Sequence, residues 1–218
     1  MNQFVYIVGG DDLVERMFFS RSYTLTYDLQ KADVVVFTGG ADVTPSFYGS
    51  EPHPTTYNDK FRDATEEKVF LGSSHTLRIG ICRGSQFLCV MNGGVLYQDV
   101  DNHCRPHSLI YTDETGLDTV CRVTSTHHQM MYPRSHKPHG NPFELWGFAS
   151  EATHRDFGRG LNRPTDHTEG PDVEIVFWPE TSSLGFQPHP EYGLESCEAL
   201  FFMCLNRALS RKDSVCVV

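Results

Sequence analysis

The stretch TLRIGICRGSQFLCVM, residues 76–91, decides how the rest of the chain is read. An apolar, branched run (Leu77, Ile79, Ile81) leads straight into Gly80-Ile81-Cys82-Arg83-Gly84, and helical material follows from Gln86 to Met91. The pattern predicts a strand, a very tight turn and a helix, with Cys82 at the apex. Glycines two residues before and two after Cys82 suit such an elbow, where a neighbouring Cβ would not fit. A thiol there sits at a helix N-terminus, whose unpaired N–H groups and dipole favour the thiolate. Structural buried cysteines are common, but two glycines and a charged Arg83 do not suit a plain core turn.

Upstream, residues 4–8 (FVYIV) form a continuous apolar run closed by Gly9-Gly10-Asp11-Asp12, as a buried first strand should be. A short helix is predicted over 13–19 and strands over 23–26 and 33–38, the latter closed by Gly39-Gly40-Ala41-Asp42-Val43. Residues 63–73 read as an amphipathic helix with Ala64, Val69, Phe70 and Leu71 inward. This alternation predicts a doubly wound, mostly parallel α/β sheet with flanking helices, whose sites form at the carboxyl ends of strands. Beyond Gly94 the predicted strands shorten (95–97, 109–112, 120–123, 145–148, 174–178), pointing to antiparallel additions. A final strand over 184–187 runs into Pro188-His189-Pro190-Glu191, and a helix over 195–209 closes the chain. The polar stretch within 130–171 reads as a loop insertion in a single domain spanning 1–218.

A formal net charge of −10 argues against nucleic acid or an anionic membrane as the main partner. No apolar run reaches the roughly 18 residues of a membrane span. The N-terminus lacks the basic region of a signal peptide. Seven cysteines without a CxxC pair then read as reduced thiols, and the expectation is a cytoplasmic protein. Cys216, third from the end, misses the prenylation pattern by one position.

A cysteine nucleophile needs a base, and the base needs a group that holds its tautomer. His189 and Glu191, two apart in a proline-flanked segment read as extended, can leave the chain on one side and supply that pair. Donors for a developing oxyanion are expected from the backbone N–H groups of Arg83 and Gly40. His103, Cys104 and His107 invite a metal reading, but no complete set with ligand spacing follows, so neither metal nor cofactor is expected.

These residues carry a family resemblance. GICRGSQ resembles the nucleophile elbow of class I glutamine amidotransferases, and GFQPHPEY resembles their His-Pro-Glu segment. FTGGADVTPSFYG is similar to the oxyanion loop of the γ-glutamyl hydrolase branch, STHHQ (125–129) to its substrate-binding segment, and GGVLYQDV to the strand after the elbow helix. The resemblance implies a flavodoxin-like fold and a Cys82-His189-Glu191 triad attacking a γ-glutamyl amide through a thioester. It implies substrate contacts from Gly39, Asp42, Gln86, Ser125, Thr126, His127, His128 and Gln129. Pro188 departs from the larger residue that relatives carry.

The expected activity is that of a freestanding class I glutamine amidotransferase-type amide hydrolase, releasing ammonia for a synthetase or ligase on another chain. The alternative is a stand-alone γ-glutamyl hydrolase acting on γ-glutamyl amines or peptides, towards which the oxyanion loop and STHHQ lean. A catalytically silent binding relative is a third reading, against which the intact Cys-His-Glu set argues.

Overall fold

The computed structural model describes residues 3–134, 140–151, 155, 156, 158 and 170–215. Its elements run β1 (Phe4–Ile7), α1 (Asp12–Ser20), β2 (Thr24–Leu25), β3 (Val34–Phe37), α2 (Lys60–Gly72), β4 (Leu77–Ile81) and α3 (Arg83–Met91). There follow β5 (Val95–Tyr97), β6 (Asp99–Val100), β7 (His107–Thr112), β8 (Asp118–Val123), β9 (Met130–Tyr132) and β10 (Glu144–Ala149). β11 (Arg155–Asp156), β12 (Val173–Trp178), β13 (Ser183–Phe186) and α4 (Glu195–Val215) complete the order.

Nine strands form one sheet in the order β2-β1-β3-β4-β13-β12-β10-β7-β8. The first five are parallel to one another, and antiparallel pairing begins between β13 and β12. The strand composition explains the layering. β3 is VVVF and buried at every position, because both faces of the parallel half are covered. Val34 and Val36 point into one core with Phe18 of α1 and Phe201 and Leu205 of α4. Val35 and Phe37 point into the other, with Phe87 and Leu88 of α3.

The predicted strands and helices appear within a few residues of their expected bounds. The closing helix is longer, reaching Val215, whereas Cys216 lies outside the described residues. Two features differ from expectation. Within the 130–171 segment read as a loop insertion, 130–132 form β9, which was not expected and pairs with β5, while the strand expected over 145–148 is β10, inside the main sheet. Most of 152–169 lies outside the described residues. Second, α2 does not bury the face expected of it: Ala64 and Leu71 are exposed, and Asp63, Glu66 and Phe70 are buried. Two carboxylates turn inward because a buried arginine waits for them, as the site geometry shows.

Among the described residues, no helix is long and apolar enough to cross a membrane. The six cysteines among the described residues are all unpaired.

Close packing at the elbow depends on missing side chains. A Cβ on Gly84 would run into the backbone carbonyl of Phe37 in β3, and one on Gly80 into the backbone of Gly84 and Ser85. Backbone cannot step aside as a flexible side-chain tip can. Gly84→Ala is therefore expected to destabilise the protein by at least about 1–3 kcal/mol, read as a lower urea midpoint at unchanged slope.

Candidate active site

The site is built at the carboxyl end of β4. Cys82 caps α3 with φ +51°, a conformation that a non-glycine residue seldom adopts. The turn is held by Cys82 N–H donating to Phe186 O of the neighbouring β13 at 2.9 Å, and by Ser85 N–H donating back to Cys82 O at 3.0 Å. No side chain caps the helix, so no side-chain acceptor takes the N–H of Arg83.

β13 delivers the second partner. His189 follows it, and His189 Nδ1 lies 2.6 Å from Glu191 Oε1. The segment is not extended throughout, as the sequence suggested. Pro190–Tyr192 forms one 3₁₀ turn, with Pro190 in the first-turn position where its missing N–H costs nothing. Tyr192, which carried no role in the sequence, stacks flat on the imidazole at 4.3 Å between ring centres. Thr124 grips the same residue from below, its hydroxyl donating to His189 O.

With Nδ1 fixed on Glu191, His189 Nε2 is buried and makes no aligned hydrogen bond. Cys82 is nonetheless close enough to act on it electrostatically. Burial pulls the His189 pKa down, but its contacts with Cys82 and Glu191 outweigh that and push it up to about 11. Gly39 completes the cluster: a Cβ there would sit 3.1 Å from His189 Cε1 and 3.8 Å from Cys82 Cβ.

The loop bearing Gly39 and Gly40 is clamped by side chains to which the sequence gave no role. Arg62 of α2 donates to Gly39 O at 2.8 Å and Thr38 O at 2.9 Å, and pairs with Glu66 at 2.7 Å. A Cβ on Gly40, which has φ +132°, would strike that guanidinium. Arg83, buried, ion-pairs with both Glu66 and Asp63 and donates to Ala41 O at 3.1 Å. Asp63 in turn accepts from Thr44 N–H at 2.8 Å. The charged face of α2 thus holds the loop against the elbow.

The remaining expected residues divide. Gln86 Nε2 donates to Gln129 O at 2.8 Å, bringing the elbow helix to the 125–129 segment. His128 Nε2 meets Asp42 Oδ1 at 3.1 Å. Thr126 is exposed. The side chains of Ser125 and His127 turn inward, away from Cys82: Ser125 Oγ donates to His103 O, and His127 faces Glu174. These two side chains are therefore not placed as the expected substrate contacts. Gln187, just after β13, was missed, and its Oε1 lies 3.4 Å from both Ser85 Oγ and Gln86 Nε2.

Two measurements test these contacts. Glu66→Gln leaves a buried guanidinium half-compensated and is expected to cost about 3–5 kcal/mol in denaturant unfolding. The His128 pKa is raised chiefly by its hydrogen bond to Asp42, against burial. That pairing is complete below the ordinary histidine value and is lost as pH rises through the raised one. Asp42→Asn is expected to lower the His128 midpoint in an NMR titration.

Comparison with known proteins places this arrangement. Residues 17–137, which include the Gly39 loop, the elbow and the 125–129 segment, match the family model Peptidase C26. The glutamine amidotransferase-like protein YvdE of Lactococcus lactis is 30% identical over 185 residues, covering 75% of this chain and 67% of that protein. A relative from Mycobacterium tuberculosis named as a glutamine amidotransferase is 42% identical over 73 residues, covering 32% of this chain and only 24% of its own length. Among solved structures, a glutamine amidotransferase of Thermotoga maritima superposes with TM-score 0.57 at 13% identity, covering 98% of this chain and 86% of that one. PurLQS from the same organism gives TM-score 0.58 at 15% identity, covering 95% and 99%. At such identities the structures speak for the fold, and the sequence matches decide the family: the chain belongs to the Peptidase C26 family of the class I glutamine amidotransferase superfamily.

Proposed function

We propose that the chain, acting as a single domain over 1–218, hydrolyses the γ-amide of glutamine or of a γ-glutamyl compound through a Cys82 thioester. The observation that carries this is the imidazole of His189, held by Glu191 on one nitrogen and presenting the other to a cysteine at a strained helix N-terminus.

The chemistry follows from the geometry. Cys82 Sγ, its proton on His189, attacks the side-chain carbonyl carbon. The oxygen that gains the negative charge is received by the N–H groups of Arg83 and Gly40, fixed in place by the Arg83 and Arg62 side chains. The tetrahedral adduct collapses, the C–N bond breaks, and His189 gives its proton to the departing ammonia or amine. A γ-glutamyl thioester remains. Water, giving a proton to His189, attacks the thioester carbon, and glutamate leaves as the thiol is restored. Gln86, His128, Asp42 and the 126–129 backbone are the groups proposed to hold the glutamyl α-carboxylate and α-amine.

Two uses of this chemistry differ in what leaves. With glutamine, the ammonia would serve a synthetase or ligase on another chain. With a γ-glutamyl amine or peptide, no partner is needed, and the peptidase family match favours that second reading.

Glutamate release by the purified chain, from glutamine and from a panel of γ-glutamyl amines and peptides, tests both. Rapid release from a γ-glutamyl amine with glutamine poor supports the stand-alone hydrolase. Slow turnover with Cys82 still labelled by a glutamine-mimicking electrophile supports the partner-dependent form. In either case Cys82→Ala is expected to lower turnover by at least ~10³-fold while folding normally. Undiminished release by that variant overturns the assignment.

A further inference from the structure

On the far side of the 124–129 segment lies a second cluster that the proposed reaction does not use. The sequence spacing places only His103, Cys104 and His107 together. The fold adds His127 from the 124–129 segment and Glu174 from β12. His103 Nδ1, His107 Nε2 and His127 Nε2 converge on one oxygen, Glu174 Oε1, at 3.1, 3.3 and 3.6 Å. Glu174 is fully buried, His103 and His127 are nearly so, and the ligand atoms of these three lie within 4.8 Å of one another.

The opposite nitrogen of each ring is already engaged with an oxygen acceptor. His103 Nε2 lies 3.0 Å from Asp172 Oδ2, His127 Nδ1 2.8 Å from Gln129 O, and His107 Nδ1 3.4 Å from Arg105 O. Those acceptors place the N–H on the outer nitrogen, so in the neutral ring the inner nitrogen presents a lone pair. Three lone pairs then face a carboxylate oxygen. None of these inner nitrogens, and neither oxygen of Glu174, makes an aligned hydrogen bond. Buried acceptors turned on one another need a proton or a metal cation between them, and four groups converging on one point suit the metal.

Metal-ligating histidines show this same arrangement, each donating its outer N–H to a carboxylate or a backbone carbonyl. The three nitrogen-to-oxygen distances agree, and His103, His127 and Glu174 form the tighter group, with His107 set further from it. Ligands about 2.0–2.1 Å from a tetrahedral ion stand about 3.3 Å apart. We propose that His103, His107, His127 and Glu174 form a structural site for a divalent transition-metal ion, zinc before others. Three imidazoles and one carboxylate complete a tetrahedron without an open position, which marks a structural site. A cleft of about 370 Å³ lined by Asn102, His103, Arg105 and His107 supplies the entry path. The ion would tie β7, the 102–107 turn and β12 to the 124–129 segment, and so stiffen the wall that carries His128 and Thr124. The site stands independently of the reaction proposed for Cys82.

The test uses the full chain, stripped with a chelator and titrated with zinc by calorimetry, with bound metal counted by elemental analysis and cobalt(II) as a spectroscopic stand-in. One equivalent per chain, a raised melting temperature and the visible absorption of tetrahedral cobalt are expected. His107→Ala, which removes the most accessible ligand, is expected to weaken zinc at least ~10-fold and to abolish the tetrahedral cobalt spectrum. Cys104→Ser is expected to bind as the parent does. If the stripped parent takes up no zinc, or His107→Ala binds it equally well, the assignment fails. Should Glu174→Gln prove unable to fold, the parent's cobalt spectrum and His107→Ala still decide.

Discussion

The constraint on which the rest of the structure depends is the burial of one guanidinium. Arg83 follows Cys82 at the start of α3, where a charged side chain can find water only by undoing the elbow. It stays inside because Asp63 and Glu66 come to meet it. Taking three charges out of water is costly, and only close pairing with further hydrogen bonds offsets it. Those further bonds are what matters for the site: Arg83 also holds Ala41 O, Asp63 holds Thr44 N–H, and Glu66 holds Arg62, which holds Thr38 and Gly39. Neutralising the elbow's charge and fixing the loop opposite it are thus one event. Apolar side chains could fill the same volume, but they could not set the orientation of that loop's peptide groups.

Where the sequence was readable and where it was not follows from the range of each signal. The elbow and the His189–Glu191 pair are encoded within a few residues, by glycines and prolines whose backbone demands are local, and the structure brings the two motifs together. The parallel half of the sheet was equally open to reading, since runs such as VVVF admit few other environments. The inner face of α2 was hidden for the opposite reason. Asp63 and Glu66 look like any solvated face until Arg83, 17 and 20 residues away, supplies the partner. β9 was hidden in a related way, since the three residues Met130–Tyr132 become a strand only through their pairing with β5. His127 was read as facing substrate because its segment resembles a substrate-binding one. Only the fold shows that it is drawn instead towards Glu174.

The 124–129 segment emerges as a partition with two different faces. On one, Thr124 supports His189, Gln129 O receives Gln86, and His128 meets Asp42. On the other, Ser125 and His127 are committed to the buried histidine cluster. Alternation along an extended segment produces this division: successive side chains leave in opposite directions. Rigidity acquired on the inner face is therefore felt on the outer one through a single thickness of backbone.

The left-handed backbone at Cys82 has an evolutionary side. A non-glycine residue held at φ +51° costs of the order of 1–3 kcal/mol, and glycine would occupy the same turn nearly without that penalty. Among all single changes at this position, the one that relaxes the fold most is also one that removes the sulfur. A lineage that ceased to need the thiol would thus face a downhill path at this codon, with stability as the reward for losing chemistry. The sulfur is thus held at a position where the backbone itself favours glycine.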